Sequence, residues 1–318
     1  MGKKVVITDY EYENVETEKN MLEAAGFEVV ACHCSSEEEL VRAVSEADGV
    51  IVQYCRITSD VIERMKNCRI IVKYGIGVDN IDVKAAIGKG IYVCNIPDYG
   101  VEEVANHVMT YLLMMAKKMP AENEDLKLGN WGYQAVVPLK RLSSCTLGLL
   151  GFGRIPRAVC KRALSFGLKV IACDPYAKGD QIVSEGAEKV SFEELLAESD
   201  FISCHCPLTE NTRYCIDDKA IERMKQGAYI INTSRGGIIK ESDLIQALNQ
   251  GKIAGAALDV FEQEPLPKDS TLRKMSSVLL SGHCAWYSEG ALSALHNKAA
   301  EEVIRVLNGG KPLNPVTI

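Results

Sequence analysis

Three polar side chains that could bind an anionic ligand or transfer a proton stand just after apolar runs of the sequence. Arg235 follows AYIINT, Glu264 follows IAGAALD and His283 follows SVLLSG. Such runs are typical of buried parallel strands, and ligands bind beyond the carboxyl ends of strands in open α/β sheets. An arginine there can hold a carboxylate by two hydrogen bonds, a histidine can pass a proton, and a glutamate can orient the imidazole. We therefore predict that Arg235, Glu264 and His283 converge on one crevice as catalytic residues.

Each of these residues also has a structural interpretation. Arg235 stands beside two glycines, where it can cap a helix or pair with a surface acid. Glu264 lies in an acidic, proline-flanked loop, where solvated carboxylates are usual, and a histidine such as His283 is often a hydrogen-bonded structural residue. His296 is a second candidate for the proton-transfer histidine, although it falls in the middle of a helical pattern. The histidines interpreted as packing residues, or as lying near a domain junction, are His107 and His205.

A glycine-rich turn precedes these residues in the chain. The run TLGLL is followed by Gly151, Gly153 and a helical pattern, as in turns that hold the pyrophosphate of a dinucleotide. The third glycine of that fingerprint is replaced by Pro156, which falls in the first helical turn, where a missing N–H breaks no intrahelical bond. Asp174 ends the next strand pattern, where a carboxylate accepts from ribose hydroxyls and repels a 2′-phosphate. The turn predicts a site for NAD rather than NADP, the alternative being a plain β-α connection.

Elements that position these residues follow a regular alternation. Short apolar runs alternate with amphipathic segments such as TEKNMLEAAG and ESDLIQALNQGK, a pattern typical of parallel sheets covered on both faces. One string of β-α units runs to about residue 98 and a second from about 145 to 283. A helical pattern at Val101–Lys118 separates them, residues 119–143 are interpreted as irregular, and a last helical pattern covers about 290–308. The sequence predicts an α/β protein with two doubly wound parallel sheets and a discontinuous first domain.

The composition of the 318 residues is that of an ordinary globular chain, with 47% hydrophobic and 25% charged residues. A net charge of −7 argues against nucleic acid as a partner, because phosphate binding favours a basic surface. No apolar run has the length of a membrane span, so no membrane partner is expected. The start, MGKKVVITDY, lacks the apolar core and cleavage site of a signal peptide, and we expect a cytoplasmic protein.

Twelve cysteines are scattered along the chain, most of them inside apolar runs. Free cysteine behaves as a small hydrophobic residue in a reducing compartment. Two Cys-His-Cys triplets occur, at 32–34 and 204–206. On a strand the histidine of such a triplet points away from its two cysteines, so the three cannot share a metal ion. We expect packing roles for these residues and no metal site.

Six motifs together resemble the D-isomer-specific 2-hydroxyacid dehydrogenase family. They occur in the family's order over nearly the whole chain, and their combination is specific although each motif alone is not. The resemblance implies a Rossmann domain inserted into a discontinuous, flavodoxin-like substrate domain, with residues 1–98 and 285–318 in the substrate domain and 99–284 in the NAD-binding domain. The motifs are KYGIGVDNID (73–82), GFGRIPRAV (151–159), CHCPLTENT (204–212), INTSRGG (231–237), ALDVFEQEP (257–265) and GHCAWYSE (282–289).

The resemblance also implies the residues that bind ligands. Arg235, Glu264 and His283 keep the catalytic roles argued above. The implied substrate contacts are Lys73, Tyr74, Gly75, Ile76, Gly77 and Trp286. The implied cofactor contacts are Gly151, Gly153, Arg154, Ile155, Asp174, Cys206, Pro207, Thr212, Thr233, Ser234, Arg235, Asp259 and His283.

The reaction implied is hydride transfer between NAD and a D-2-hydroxy acid or 2-keto acid, in a homodimer. Arg235 and the backbone at 75–77 hold the substrate carboxylate, and nicotinamide exchanges hydride with the carbonyl carbon while His283 exchanges a proton with the oxygen. Glu264 keeps the imidazole in the correct tautomer. We expect an enzyme that acts on a small keto acid such as glyoxylate or hydroxypyruvate.

Two alternatives stay open. In a D-3-phosphoglycerate dehydrogenase, Arg56 and Lys73 would bind the phosphate, but Gln53 stands where those enzymes typically carry an arginine, and no regulatory domain follows Pro312. The stretch HCAWYSE resembles the C-terminal-binding-protein branch, whose members act as NAD-regulated binding proteins, yet neither terminus extends as a tail. Trp286 either walls a pocket for an apolar or small keto acid or packs the domain junction.

Overall fold

The computed structural model describes residues 2–317. The chain divides into two compact units. The first unit combines Met1–Gly100 with Ser288–Ile318, and the second is the continuous segment Val101–Tyr287. The chain therefore leaves the first unit after one hundred residues and returns to it for its last helix.

The first unit contains a five-stranded parallel sheet. Its strands are β1 (Lys4–Ile7), β2 (Glu28–Ala31), β3 (Gly49–Val52), β4 (Ile70–Lys73) and β5 (Tyr92–Cys94). They lie in the order β2-β1-β3-β4-β5, which is that of flavodoxin-like doubly wound sheets. The helices are α1 (Glu16–Ala24), α2 (Glu37–Val44), α3 (Ser59–Arg64), α4 (Val83–Gly88) and α12 (Glu289–Leu307).

The inner strands β1, β3 and β4 are buried along most of their length because both faces of the sheet are covered. Val5 and Ile7 of β1 pack in a core with Leu295 and other residues of α12. Val6, between them, packs on the opposite face with Leu40 of α2. Successive strand residues point to opposite faces, so each finds a different hydrophobic core.

The second unit contains a seven-stranded parallel sheet. Its strands are β6 (Thr146–Leu150), β7 (Lys169–Cys173), β8 (Glu188–Lys189), β9 (Phe201–Cys204), β10 (Ala228–Asn232), β11 (Ile253–Leu258) and β12 (Val278–Leu280). The order is β12-β11-β10-β9-β6-β7-β8, a Rossmann-type arrangement. From β6 the chain adds β7 and β8 on one side, and it then crosses to the other side of β6 to add β9 and the strands that follow. The helices are α5 (Val101–Lys117), α6 (Met119–Lys127), α7 (Arg154–Ser165), α8 (Gly179–Ser184), α9 (Phe192–Glu198), α10 (Asp218–Arg223) and α11 (Glu241–Asn249).

The predicted fold class is confirmed, with two doubly wound parallel sheets, but the interpretation of residues 119–143 is wrong in part. Helix α6 covers Met119–Lys127, and Pro120 stands in its first turn, where the helix needs no N–H from it. Strand β8 was not predicted, since it is a two-residue edge strand with exposed side chains. Among the described residues, no helix is long and apolar enough to cross a membrane.

Candidate active site

His283 and Glu264 form a hydrogen-bonded pair beyond the carboxyl ends of β11 and β12. Nδ1 of His283 lies 2.7 Å from Oε2 of Glu264, and the N–H of Phe261 donates to Oε1 at 2.9 Å. Burial alone would raise the pKa of Glu264, but the hydrogen bond and charge of His283, together with Phe261 and the charge of Arg235, lower that pKa on balance. The carboxylate is thus ionised near neutral pH and holds a proton on Nδ1. Nε2 is left as the nitrogen that can exchange a proton with a ligand.

The backbone of His283 is held in an unusual conformation by its neighbours. Its φ is 53°, in the left-handed region that residues other than glycine rarely adopt. The N–H of His283 donates to the Asp259 carbonyl at 2.7 Å, and the Asp259 carboxylate accepts from the N–H groups of Cys284 (2.9 Å) and Ala285 (3.0 Å). The indole N–H of Trp286 donates to the His283 carbonyl at 3.0 Å. These bonds fix the strained backbone and therefore aim the imidazole.

A hydrogen-bond network that the sequence analysis missed supports Asp259. The hydroxyl of Ser281 donates to the Asp259 carboxylate and accepts from the Tyr111 hydroxyl at 2.6 Å. Nε2 of His107 lies 3.1 Å from the same Ser281 oxygen. Burial lowers the pKa of His107, although the charge of Asp259 opposes this shift. The lowered pKa favours a neutral ring. Helix α5 thus anchors the loop that carries His283.

Arg235 follows β10, the strand next to β11 in the sheet. Its guanidinium donates from Nη1 to the Ser234 carbonyl at 2.7 Å, and the Asn232 side chain donates to the Arg235 carbonyl at 2.9 Å. A Cβ on Gly236 would lie 1.9 Å from the Phe261 carbonyl carbon, so the loop after β10 touches the loop that leads to Glu264. The structure therefore brings together the loops that carry the three predicted catalytic residues.

The glycine turn joins β6 to α7 as the sequence predicts. Gly151 has a φ of 102°, its N–H donates to the Cys173 carbonyl at 2.8 Å, and an added Cβ would lie 3.0 Å from the His205 carbonyl carbon. Gly153 is the N-cap of α7, and no side chain of the described residues caps the helix there. Pro156 lies in the first turn. The first intrahelical bond runs from Arg157 N–H to the Gly153 carbonyl at 3.2 Å, so the proline removes no helical bond.

Asp174 makes structural hydrogen bonds that the sequence did not predict. One carboxylate oxygen accepts from the Phe152 N–H at 2.7 Å, and the other accepts from the N–H groups of Tyr176 (2.7 Å) and Ala177 (3.0 Å). The carboxylate therefore braces the glycine turn and its own loop. Since a carboxylate offers about four lone-pair positions, acceptor capacity remains for a ligand hydroxyl.

Two features of this region fit a bound polar ligand. Thr233 Oγ1 is a buried side-chain oxygen with no hydrogen-bond partner among residues 2–317, and leaving such a group unpaired costs about 1–3 kcal/mol. The N-terminus of α7, capped by the side-chain-free Gly153, offers backbone N–H groups to an anion. By contrast, the Thr212 hydroxyl already donates to the Pro207 carbonyl at 2.6 Å and accepts from the Thr209 N–H at 2.7 Å. The residues at the carboxyl ends of these strands therefore fit a dinucleotide.

The predicted substrate residues of the first unit follow strand β4. Lys73 is buried and its ammonium donates to the Gln53 carbonyl, while the buried Tyr74 donates from its hydroxyl to Glu18. Gly75 has a φ of 127°. The side chains of Lys73 and Tyr74 are therefore hydrogen-bonded within the first unit. The backbone groups predicted to bind the substrate begin at Gly75.

His296 belongs to the core of the first unit. It lies in α12 with its Nδ1 3.0 Å from the carboxylate of the fully buried Glu18. Nε2 of His205 lies 2.8 Å from the hydroxyl oxygen of Ser203, and burial lowers the pKa of His205 to about 3. Both histidines fit structural roles. No group of three or more His, Cys, Asp or Glu residues in the described part of the chain is arranged to hold a metal ion.

Comparison with known proteins identifies the family to which this geometry belongs. The sequence model described as D-isomer specific 2-hydroxyacid dehydrogenase, NAD binding domain, matches residues 109–285, more than half of the chain. The chain belongs to the D-isomer specific 2-hydroxyacid dehydrogenase family. The resemblance drawn from the six motifs is confirmed, and the match covers the glycine turn, Arg235, Glu264 and His283.

Relatives in this family carry different substrate names. The chain is 39% identical over 317 residues to a D-3-phosphoglycerate dehydrogenase of Methanocaldococcus jannaschii, covering 99% of this chain but 59% of that protein. It is 37% identical over 286 residues to a glyoxylate reductase of Korarchaeum cryptofilum, covering 88% of this chain and 86% of that protein. A D-lactate dehydrogenase structure from Aquifex aeolicus, complexed with NAD and lactic acid, superposes with a TM-score of 0.87 at 28% identity, covering 96% of each chain.

Proposed function

We propose that the protein is an NAD-dependent oxidoreductase that interconverts a D-2-hydroxy acid and its 2-keto acid. The observation that carries the proposal is the 2.7 Å hydrogen bond between His283 Nδ1 and Glu264. It leaves Nε2 available for proton exchange beside the loop of Arg235, in the unit that also holds the glycine turn. Family membership supports the same reaction class.

The dinucleotide would be held by residues of the second unit. The N-terminus of α7 would bind the pyrophosphate through Gly151, Gly153, Arg154 and Ile155, and Asp174 would bind the ribose. When bound, the nicotinamide supplies or accepts the hydride at the substrate carbon. Further contacts are proposed for Cys206, Pro207, Thr212, Thr233, Ser234 and Asp259.

Each catalytic residue then has a separate task. Arg235 binds the substrate carboxylate, because its planar guanidinium matches two carboxylate oxygens. In keto-acid reduction, protonated His283 donates its Nε2 proton to the carbonyl oxygen, and the reverse reaction needs the neutral ring. Glu264 holds the Nδ1 proton and stabilises the imidazolium. Asp259 acts as a positioning residue for the backbone of His283. Substrate contacts at 73–77 and by Trp286 stay predictions.

A small unphosphorylated keto acid, such as glyoxylate or hydroxypyruvate, is the substrate class that we propose. Gln53 is uncharged and buried, and its side-chain oxygen accepts from the Glu11 N–H at 2.8 Å. A phosphorylated substrate would depend on the exposed Arg56 and on Lys73, whose ammonium already donates to the Gln53 carbonyl. D-3-phosphoglycerate dehydrogenase is the second candidate, favoured by the name of the Methanocaldococcus jannaschii relative.

The test is NADH oxidation with a panel of glyoxylate, hydroxypyruvate, phosphohydroxypyruvate, pyruvate and branched 2-keto acids. We expect the highest kcat/KM for a small unphosphorylated acid. His283→Ala should lower kcat about 10²- to 10⁴-fold, the usual contribution of a general acid, while NADH binding persists. The matched control is His296→Gln, a histidine of the first unit that also pairs with a glutamate. Turnover that fails in the control but survives in His283→Ala would reject the assignment of His283.

Other outcomes of the panel separate the remaining candidates. Fastest turnover of phosphohydroxypyruvate would establish the phosphoglycerate alternative. If no acid is reduced although NADH binds, the chain is a dinucleotide-sensing binding protein. Protein partners should then be captured with and without NADH. The binding-protein alternative requires partners whose binding depends on the dinucleotide.

We also propose a homodimer that works in the cytoplasm. The family resemblance supports the dimer, and the twelve free cysteines support a reducing compartment. Size-exclusion chromatography with light scattering distinguishes the dimer from a particle near the 34.9 kDa of one chain.

A further inference from the structure

Two glutamates join the start of α11 to the loop that carries Glu264. The N–H of Glu241, the first residue of α11, donates to the Glu262 carboxylate at 2.7 Å. In return, the N–H of Glu262 donates to the Glu241 carboxylate at 2.5 Å. The two residues are 21 positions apart in the sequence, so the Glu241–Glu262 pair joins segments that follow different strands. Neither glutamate is among the catalytic residues proposed above.

Helix α11 takes its N-terminal cap from this pair. Lys240 is the N-cap residue, and its side chain makes no capping hydrogen bond, since a lysine ammonium cannot accept one. The Glu262 carboxylate takes the place of a capping side chain, and its negative charge lies at the positive end of the helix dipole. The exchange of two bonds resembles a capping box, except that the two carboxylates come from distant segments.

The two segments also touch through their backbones. A Cβ on Gly236 would lie 2.5 Å from the backbone nitrogen of Glu262. Gly236 directly follows Arg235, and Glu262 lies two residues before Glu264. The Glu241–Glu262 pair therefore lies where the Arg235 loop meets the Glu264 loop.

The pair is connected to the Glu264 carboxylate through consecutive peptides. The Phe261 N–H donates to Oε1 of Glu264 at 2.9 Å, and the next N–H along the chain, that of Glu262, donates to Glu241. Peptides are planar, so only the two dihedral angles of Phe261 separate these N–H groups. The side chain of Phe261 is buried in the core of the sheet, which restricts both angles. The bond to Glu241 therefore helps to hold the N–H that orients Glu264.

Three carboxylates lie close together in this region. Burial raises the pKa of Glu241, and the charges of Glu262 and Glu264 raise it further, while the N–H of Glu262 opposes the shift. Carboxylates that are ionised repel one another, so the bonds to N–H groups and to His283 must offset this repulsion. A substitution that removes one of these bonds should let the Glu264 loop move.

We propose that Glu241 and Glu262 are positioning residues that hold Glu264 against His283 and so contribute to proton transfer. Glu262 holds the start of α11, Glu241 holds the Glu262 N–H, and together they keep the Phe261 N–H in place to bind Glu264. The proposal rests on the proposed function, because it assigns the pair a part in orienting the residue that transfers the proton.

Steady-state kinetics of single substitutions test the positioning role. Glu241→Ala and Glu262→Ala should each lower kcat about five- to tenfold with the best keto acid of the panel, the loss expected from one hydrogen bond. The KM for the acid and the Kd for NADH should change by less than about twofold, because Arg235 keeps its own loop bond from Asn232. Glu241→Gln and Glu262→Gln retain an oxygen that accepts the N–H and should keep most of kcat. Equal losses in the glutamine and alanine variants overturn the proposal.

The pH dependence of turnover separates positioning from a general loss of stability. Keto-acid reduction needs the protonated ring of His283, so its rate falls as pH rises. Glu264 stabilises the imidazolium, and a displaced carboxylate stabilises it less. In Glu262→Ala the pH at which kcat falls to half of its maximum should therefore decrease by about 0.5–1 unit. A profile identical to that of the unmodified protein contradicts the proposal.

Asp243→Ala is the matched control. Asp243 lies in the same turn of α11, and its carboxylate accepts from the N–H of Asp218, the first residue of α10, at 2.9 Å. It therefore joins two helices in the way that Glu262 joins a helix and a loop, but without a bond to the Glu264 loop. The control should lower the Tm as Glu262→Ala does and leave kcat and its pH profile unchanged. A loss of kcat as large as that in Glu262→Ala would show that only stability is affected.

Hydrogen–deuterium exchange followed by mass spectrometry tests the pair without any activity assay. Glu262→Ala removes the acceptor of the Glu241 N–H, so peptides over the start of α11 should exchange faster. Glu241→Ala should speed exchange in peptides over 259–264, and in each variant the effect lies in the segment that was not substituted. Unchanged exchange in both variants overturns the proposal. If the unmodified protein reduces no acid of the panel, the proposed function and the role in proton transfer fail together, whereas exchange still decides whether the pair holds the Glu264 loop.

Discussion

Arg235 is the proposed ligand of the substrate carboxylate among the three catalytic residues. Replacing it by glutamine in Arg235→Gln removes a charge-assisted pair of hydrogen bonds to the substrate carboxylate. Such bonds contribute about 1.5–3 kcal/mol, so kcat/KM should fall roughly 10- to 100-fold, mainly through KM. Steady-state kinetics with the best keto acid measures this, and NADH titration checks that the cofactor still binds. A KM equal to that of the unmodified protein would remove the carboxylate role.

Asp174 should determine which dinucleotide is preferred. Asp174→Asn removes the charge that repels a 2′-phosphate but keeps one oxygen that can accept from the Phe152 N–H, so the glycine turn is preserved. We expect the ratio of kcat/KM for NADH to that for NADPH to fall about tenfold. Asp174→Ala also removes the acceptor and should weaken binding of both dinucleotides. An unchanged ratio in Asp174→Asn would contradict the assigned role.

Sequence position reveals some of these residues and hides others. Arg235, Glu264 and His283 each follow an apolar run, so their common location follows from the topology of a parallel sheet. Ser281 and Tyr111 are separated by 170 positions and meet only after α5 packs on the sheet. Nothing local in the sequence of a helix shows which loop its side chains reach, and the network under Asp259 was therefore unpredictable.

The turn after β10 depends on a glycine that admits no side chain. In Gly236→Ala the new Cβ would lie 1.9 Å from the carbonyl carbon of Phe261, so one of the two loops must move. We expect a loss of about 1–3 kcal/mol in the free energy of unfolding and a loss of turnover larger than that in Arg235→Gln, since both catalytic loops shift. Thermal unfolding and kinetics measure the two effects.

Gly237→Ala is the matched control for this turn. Its Cβ would meet the end of the Leu208 side chain at 3.2 Å, a flexible group that can rotate away. The control should therefore lose less stability and less activity than Gly236→Ala. Equal effects of the two substitutions would mean that the close approach to Phe261 does not limit the turn.

Elements with a buried pattern were predictable, and elements without one were not. Most of the longer strands are buried apolar runs, because helices cover both faces of each sheet. Helix α6 buries no side chain and therefore shows no periodic apolar face, and β8 is two exposed residues at a sheet edge. Local sequence carries little information about such elements, since packing does not constrain their residues.

Unfolding of the whole chain should depend on pH through His205. Burial lowers the pKa of His205 to about 3 in the folded protein. Part of the surface of His205 remains accessible to solvent. Below its unfolded pKa of about 6.5, the unfolded chain binds a proton that the folded chain does not. The free energy of unfolding should therefore fall as pH decreases from about 6.5 towards 3, by at most about 1.4 kcal/mol for each pH unit from this group.

Urea unfolding at a series of pH values measures this slope. His205→Gln should flatten the curve in the same pH range, because glutamine binds no proton. His33→Gln, which removes an exposed histidine, is the control substitution. If the His205 variant has the slope of the unmodified protein, another group causes the acid sensitivity.

The return of the chain to its first unit has a consequence during synthesis on the ribosome. Leu295, Ala299 and Val303 of α12 cover one face of the first sheet, against Ile7 and the strands around it. When the first hundred residues leave the exit tunnel, α1 can cover part of that face, but the part that α12 covers stays bare until the whole second unit has been translated. At about 5–20 residues per second the wait is on the order of 10–40 s. The nascent amino-terminal segment is therefore a natural client for chaperones, while the second unit can complete its own folding as soon as it emerges.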